Sequence, residues 1–356
     1  MVTAIALFIL AATKLVPTQI SPAGFSGVDP QVVAFENRVY VVCGNGDRLF
    51  LFRSSDRGNT FSAPIPIPTS GHLALGMRRG PRIAVTKSAV VITAVYGLKG
   101  GGRDGDLVSF RSTDNGNHWV GPARVNDSDG SAREGLHAMA SSSDGRIACT
   151  WLDLRNKGTE VWASASSDGG ASWTKNSMVY RSPDGHVCEC CHPSIQFSPT
   201  GDIAVMFRNA LGGYRDMFLS RSSDNGKSFK PAQKLGIGSW LLNYCPMDGG
   251  AISFAEDGAV TSVWRRKETS YICRPGQPEI EVGPGTQPWI ANSKSGPIVT
   301  WQSLGQIMLK RGADQPMILG PGSNPAITST SGGAFAVWAD PTGRIFSLRV
   351  GQTEGT

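Results

Sequence analysis

Between His186 and Pro193 the chain reads His-Val-Cys-Glu-Cys-Cys-His-Pro, and a further cysteine stands in Tyr244-Cys245-Pro246-Met247-Asp248. Cys188, Cys190, Cys191 and Cys245, with His192 nearby, offer three chemistries. Disulfides would brace long loops in an exported protein. A bridge between the neighbours Cys190 and Cys191 is strained, which directs Cys245 across to the other segment. Thiolates with His192, His186 or Met247 suit copper(I) or zinc. Cys188-x-x-Cys191-His192 also satisfies the attachment pattern of covalent haem, although it runs straight into a predicted strand with little room for a porphyrin. Cys43, Cys149 and Cys273 fall inside predicted strands, where a small buried thiol is expected.

A second chemistry is carried by guanidinium groups. Arg79, Arg82, Arg155, Arg208, Arg215, Arg265 and Arg266 lie in or beside long polar segments. If they converge, they suit a carboxylate, sulfate or phosphate, because guanidinium grips such groups bidentately. Glu134, Asp104, Asp153 and Asp216 are the carboxylates for acid–base work beside a leaving oxygen. The competing reading is that these charges pair locally and lock loops, as Arg215-Asp216 and Asp153 with Arg155 suggest.

What positions these residues is repetition. The pattern Ser-x-Asp-x-Gly-x-(Thr/Ser)-(Phe/Trp) occurs at Ser54–Phe61, Ser112–Trp119, Ser166–Trp173 and Ser222–Phe229, with His118 replacing the hydroxyl residue in the second copy. Its aspartates, Asp56, Asp114, Asp168 and Asp224, are 58, 54 and 56 residues apart. A fixed interval of that length means stacked supersecondary units. Within each copy the carboxylate can accept N–H groups of its own turn, and the glycine permits positive φ.

A longer unit underlies these copies. A short strand opening near Pro-x-(Ile/Val)-Ala is followed by a second strand that often ends in Trp, as in Pro288-Trp289-Ile290-Ala291 with Trp301. Seven such openings follow one another, at Pro30, Pro81, His137, Pro193, Gly250, Pro288 and Pro325. The last unit has three strands, and Leu15–Ile20 is placed to supply its fourth. Closing a ring in this way leaves few exposed edges.

The eight-residue pattern is the Asp-box, and the chain resembles the sialidase superfamily of β-propellers. That resemblance implies an all-β propeller of four-stranded blades, one domain over residues 25–356. The unit count gives seven blades, with six, usual for sialidases, as the alternative. It also implies that the boxes lie away from the active side. The chemically loaded segments then share the opposite rim over units two to five. The family holds its substrate carboxylate with three arginines, the first in Arg-Ile-Pro, which Arg82-Ile83-Ala84 resembles without the proline. By this resemblance Arg82 holds the carboxylate and Glu134 or Asp216 serves in acid–base roles; from residue type and loop position, without a matching family motif, Arg79, Arg208, Arg215, Arg265, His137 and Tyr244 are expected to contact an anionic, carbohydrate-type ligand. No motif matches the family's Tyr–Glu nucleophile pair among Tyr96, Tyr214, Tyr244 and Tyr271. The cysteine cluster, which classical sialidase sites do not need, points instead to a non-catalytic binding or metal-handling protein. Both readings stay open, with an exo-acting glycoside hydrolase as the first.

Composition narrows the partners. With 40% hydrophobic and 17% charged residues, 44 Gly and 22 Pro, the chain has material for a large core and many turns. The formal charge of +6 is scattered, with no basic run interleaved with aromatics, so nucleic acid is not an expected partner. Ala4–Ala12 has the length of a signal-peptide core and is too short to span a bilayer, which takes about 20 residues. Residues 1–24 are therefore expected to be an export segment, with a hydrophobic first strand as the alternative. The expected location is periplasmic or secreted, and a protein partner remains open because propellers often serve as platforms.

Overall fold

The computed structural model describes residues 15–351, so the Ala4–Ala12 run lies outside the described residues. Seven antiparallel sheets follow one another along the chain, and each is one blade. The third blade shows the pattern: His137–Ser141, Ile147–Asp153, Glu160–Ser166 and Ser177–Tyr180 pair in sequence order from the axis outward. Second strands are rich in β-branched and aromatic residues and are buried on both faces, as in Val90–Gly97. Outermost strands face water, and Val120–Arg124 is exposed along its whole length. No described residue is helical, so no described helix could cross a membrane.

Seven apolar clusters sit between the sheets, one at each junction of neighbouring blades, including the junction of the last with the first. A closed ring is the arrangement that gives every blade two buried faces. The second-strand tryptophans are part of this packing, and Trp151, Trp301 and Trp338 are fully buried. Six blades, the alternative drawn from the resemblance, is therefore corrected to seven. The ring closes as expected from the sequence: Thr18 and Gln19 pair with Ser347 and Phe346 as the outer strand of the last blade. One element has no counterpart in the repeat. His72–Leu73 pairs with Tyr96 and Gly97, alongside the inner strand Arg82–Val85 of the same blade.

The four Asp-boxes are turns of one construction. In the first, Ser54 Oγ donates to Asp56 Oδ1 at 2.7 Å, the N–H groups of Asn59 and Thr60 donate to the same oxygen at 3.0 Å, and Thr60 Oγ1 donates to Oδ2 at 2.7 Å. His118 fills the hydroxyl position in the second, with Nδ1 against Asp114 Oδ2. The boxes connect third to fourth strands, whereas the connections from second to third strands and from blade to blade emerge at the opposite end.

Candidate functional site

The loop entering blade four, which carries the cysteines, is stitched to both its neighbours. Val187 N donates to Thr159 O at 2.9 Å, and Cys188 N donates to Arg208 O at 3.1 Å. On the other side it meets the loop entering blade five, where a Cβ on Gly249 would lie 1.8 Å from His192 O. Only glycine allows that approach. Cys188, Cys190 and Cys191 are buried, and their sulfurs stand 3.3 Å (188–191), 3.7 Å (188–190) and 4.0 Å (190–191) apart. A disulfide is about 2.05 Å long. All seven cysteines are free thiols, so the expected bridges are not formed.

Two residues named with this group do not join it. Cys245 is exposed, and His192 turns Nε2 to Gly250 O at 3.0 Å while its ring stacks on Trp289. Met247 does pack against the three cysteines. Burial works against ionisation of Cys191. Thiol hydrogen bonds from Cys188 and Cys190, the Arg208 guanidinium and the Asp248 N–H outweigh it and bring the Cys191 pKa well below the ordinary thiol range.

Beside the thiols lies a buried polar ring that caps the axis on the loop side. Arg78 Nε and Nη2 donate to Gln287 Oε1 and O at 2.9 and 2.7 Å, and the guanidinium lies over Trp289. Gln287 N donates to Asp248 Oδ2 at 2.8 Å, and the same carboxylate pairs with Arg265 Nε at 3.2 Å. Asp29 accepts from Gly76 N and from Asn324 Nδ2. Burial raises the pKa values of Asp29 and Asp248, opposed by the arginines around them. It also brings Arg78 down to about 9 and Arg82 down to about 10, both far enough above neutrality to stay charged. Three successive carbonyls of the Pro246-Met247-Asp248 segment receive side-chain donors: Arg265 Nη2 on Pro246, Gln287 Nε2 on Met247 and Arg208 Nε on Asp248.

Of the arginines expected to hold an anion, Arg79, Arg82, Arg208 and Arg265 are spent on this scaffold. Arg208, 1% exposed, donates to the carbonyls of Asp248, Arg215 and Arg265. Arg82, 3% exposed, donates to those of Gly80, Pro81 and Arg78. Arg215 is half-buried and receives Arg208 on its own carbonyl. Arg79 donates to Glu134 O at 2.6 Å, with its other nitrogen 3.8 Å from the Glu134 carboxylate. Asp216 is held by Lys234, Ser239 and the Trp240 N–H. Glu134 and Asp216 thus sit in separate ion-pair clusters. His137 is buried against Thr93 Oγ1, and Tyr244 is 60% exposed on the rim.

Sequence reading gave no task to Asp29, Arg78 or Gln287, and named Asp248 only as a neighbour of Cys245. A signal existed. Asp29, Gln287 and Asn324 each precede the proline that opens a blade, and each has positive φ, 50°, 56° and 47°. A polar non-glycine residue held at positive φ is strained, and such positions mark constrained sites.

The solvent-open part of the loop face is a polar cleft of about 540 Å³ beside blades three and four. Arg133, Arg155, Lys157, Asp129 and Glu189 line it. Arg155 is anchored there by Asp153, Asp127 and Asn176 and lies over the Trp162 ring at 3.8 Å. The axial channel, about 500 Å³, is lined instead by inner strands, from Arg82 and Trp289 to Ser142 and Ser143 at the end where first strands turn into second.

Residues 91–240 match the family described as BNR repeat-like domain. No curated protein matches the sequence. Among solved structures, an α-L-arabinanase of Penicillium chrysogenum complexed with arabinobiose is 14% identical, with a TM-score of 0.55 over 96% of this chain and 99% of that one. An ulvan lyase bound to a glucuronate–sulfated rhamnose unit is 10% identical, with a TM-score of 0.59 over 94% and 96%. A Hadza microbial sialidase is 12% identical, with a TM-score of 0.51 over 91% and 75%. At these identities the likeness is one of fold.

Proposed function

The chain is a seven-bladed β-propeller whose residues 91–240 match a BNR repeat-like domain, and from that premise we propose that it binds an anionic carbohydrate at its loop face. The observation that carries the reading is the open cleft, where Arg133 and Lys157 are exposed beside the anchored Arg155, with Asp129 and Glu189 on the same walls. Guanidinium and ammonium groups suit a uronate or sulfate, and the carboxylates suit ring hydroxyls. Support from kinship is of the same coarse kind, since the similar propellers named above act on or carry arabinose, uronate or sialic acid sugars in their descriptions. The sialidase-type clamp is the weaker reading, because Arg82 and Arg208 are buried on backbone carbonyls. Export belongs to the same proposal, on the apolar Ala4–Ala12 run.

Calorimetry against uronate-bearing, sulfated and neutral oligosaccharides tests it. The charged sugars are expected to bind, and Arg133→Ala with Lys157→Ala to weaken them about tenfold or more. Absence of binding to any of the three sugar classes overturns it. Assays for sialoside hydrolysis between about pH 4 and 8 and for lyase elimination then decide whether binding is followed by chemistry.

A further inference from the structure

The geometry points to Cys188, Cys190, Cys191 and Met247 as an all-sulfur site for one copper(I) ion, independent of the carbohydrate reading. Three sulfurs of one short turn converge within 4.0 Å, all buried and none bridged. Around a single ion with metal–sulfur bonds of about 2.3 Å, sulfurs stand about 3.8–4.0 Å apart. The 3.7 and 4.0 Å separations already match, and the 3.3 Å one needs to open by a few tenths of an ångström. The turn is fixed from both sides, by Thr159 O and Arg208 O on its N–H groups and by the close contact of Gly249 with His192. Convergence of this kind is a property of the fold rather than of a mobile loop.

The donor set selects the ion. Thiolates with a thioether suit copper(I), whereas structural zinc takes four ligands, commonly completed by imidazole or another thiolate. Here Met247 packs on the cluster. The imidazole in reach by sequence, His192, turns Nε2 to Gly250 O and is not among the groups whose ligand atoms converge with the three sulfurs. The nearby carboxylate, Asp248, gives Oδ2 to Arg265 and the Gln287 N–H and is likewise not among the groups that converge with the sulfurs. The fourth loop cysteine, Cys245, points to solvent.

Charge is compensated from the surrounding shell. Three thiolates and one copper(I) carry two net negative charges; the Arg208 guanidinium lies beside Cys188 and Cys191, and the Asp248 N–H points at Cys191. Such neighbours orient and stabilise a metal's ligands. Binding displaces whatever protons the thiols still carry, which leave to solvent, and the metal stays copper(I) throughout.

The test is titration of the anaerobically reduced full chain with copper(I) against a chromogenic copper(I) chelator, followed by X-ray absorption of the loaded protein. Expected are one copper per chain, a sulfur-only first shell and a raised melting temperature. Cys190→Ser should weaken binding about tenfold or more, with Cys245→Ser binding as the parent does. Met247→Leu removes no thiol and preserves the apolar volume. It should weaken copper(I) while the three sulfurs remain in the shell, and it decides the matter if Cys190→Ser does not fold. The proposal is overturned by copper retained in a Cys188→Ser, Cys190→Ser, Cys191→Ser triple variant. Nitrogen or oxygen in the first shell, zinc displacing copper(I), or a Cys188–Cys191 disulfide trapped from living cells would overturn it equally.

Discussion

Arg78 Nε donates to Gln287 Oε1 at 2.9 Å across a sequence separation of 209 residues, and the bond ties the loop entering blade two to the start of blade six. Both ends have further attachments: the guanidinium lies over Trp289, and Gln287 donates to Met247 O and Asp248. The pair therefore spans the ring across its axis. Gln287→Ala leaves the Arg78 Nε and the Met247 carbonyl without these partners. Each group left unpaired costs about 1–3 kcal/mol. Chemical denaturation should register a loss of that order, larger than the same change at exposed Gln277.

The Asp-boxes set an acid limit. Hydrogen bonds from the Ser228 hydroxyl and N–H, with the Ser222 hydroxyl, bring Asp224 down to about 2 from an ordinary 3.8. A folded pKa below the unfolded one gives stability that is present above about pH 3.8 and lost as pH falls through about 2. Asp224→Asn should lower the melting temperature at neutral pH, with the gap to the parent closing near pH 2. A gap that stayed constant with pH would show that the carboxylate charge contributes nothing.

Ring closure rests on little chain. Thr18 and Gln19 cover the edge of Ile345–Gly351, and Ser21 Oγ accepts from Ile345 N at 3.0 Å. Removing residues up to Ile20 exposes that edge, and an open strand edge recruits other chains. The shortened protein is expected to melt earlier and to associate with rising concentration, as measured by light scattering. A monomer of parental stability would mean that the closing strand is dispensable.

The seven openings, the box turns and the second-strand tryptophans were legible because each depends on contacts within one blade or with the next. The polar ring was not. Arg208 was read as facing a ligand from residue type, yet its guanidinium meets carbonyls supplied by chain far away in sequence, Asp248 and Arg265, while Arg82, read the same way, folds back onto the carbonyls of its own loop. For the cysteines, sequence spacing supplied the three sulfurs but could not separate Cys245 from them. His72–Leu73 escaped because a two-residue strand carries no periodicity.

His137 offers the last test, and it turns on the sign of a shift. Its ring is fully buried, with Nε2 against Thr93 Oγ1 at 3.2 Å and Nδ1 near Gly135 O. Burial first, and then the Arg82 charge, bring its pKa from 6.5 down to about 3, so the native ring is neutral. A base with a depressed folded pKa contributes stability that is whole above about pH 6.5 and is lost as pH falls through about 3. Across that window the loss is on the order of 5 kcal/mol. His137→Gln keeps a side-chain hydrogen-bonding group for Thr93 and cannot take up the proton. The variant should therefore be less stable than the parent at neutral pH, and the difference should shrink steadily on acidification from about pH 6.5 to 3. Parallel stability curves for the two proteins would mean that His137 does not titrate in this interval, and that the acid sensitivity of the ring lies with other groups.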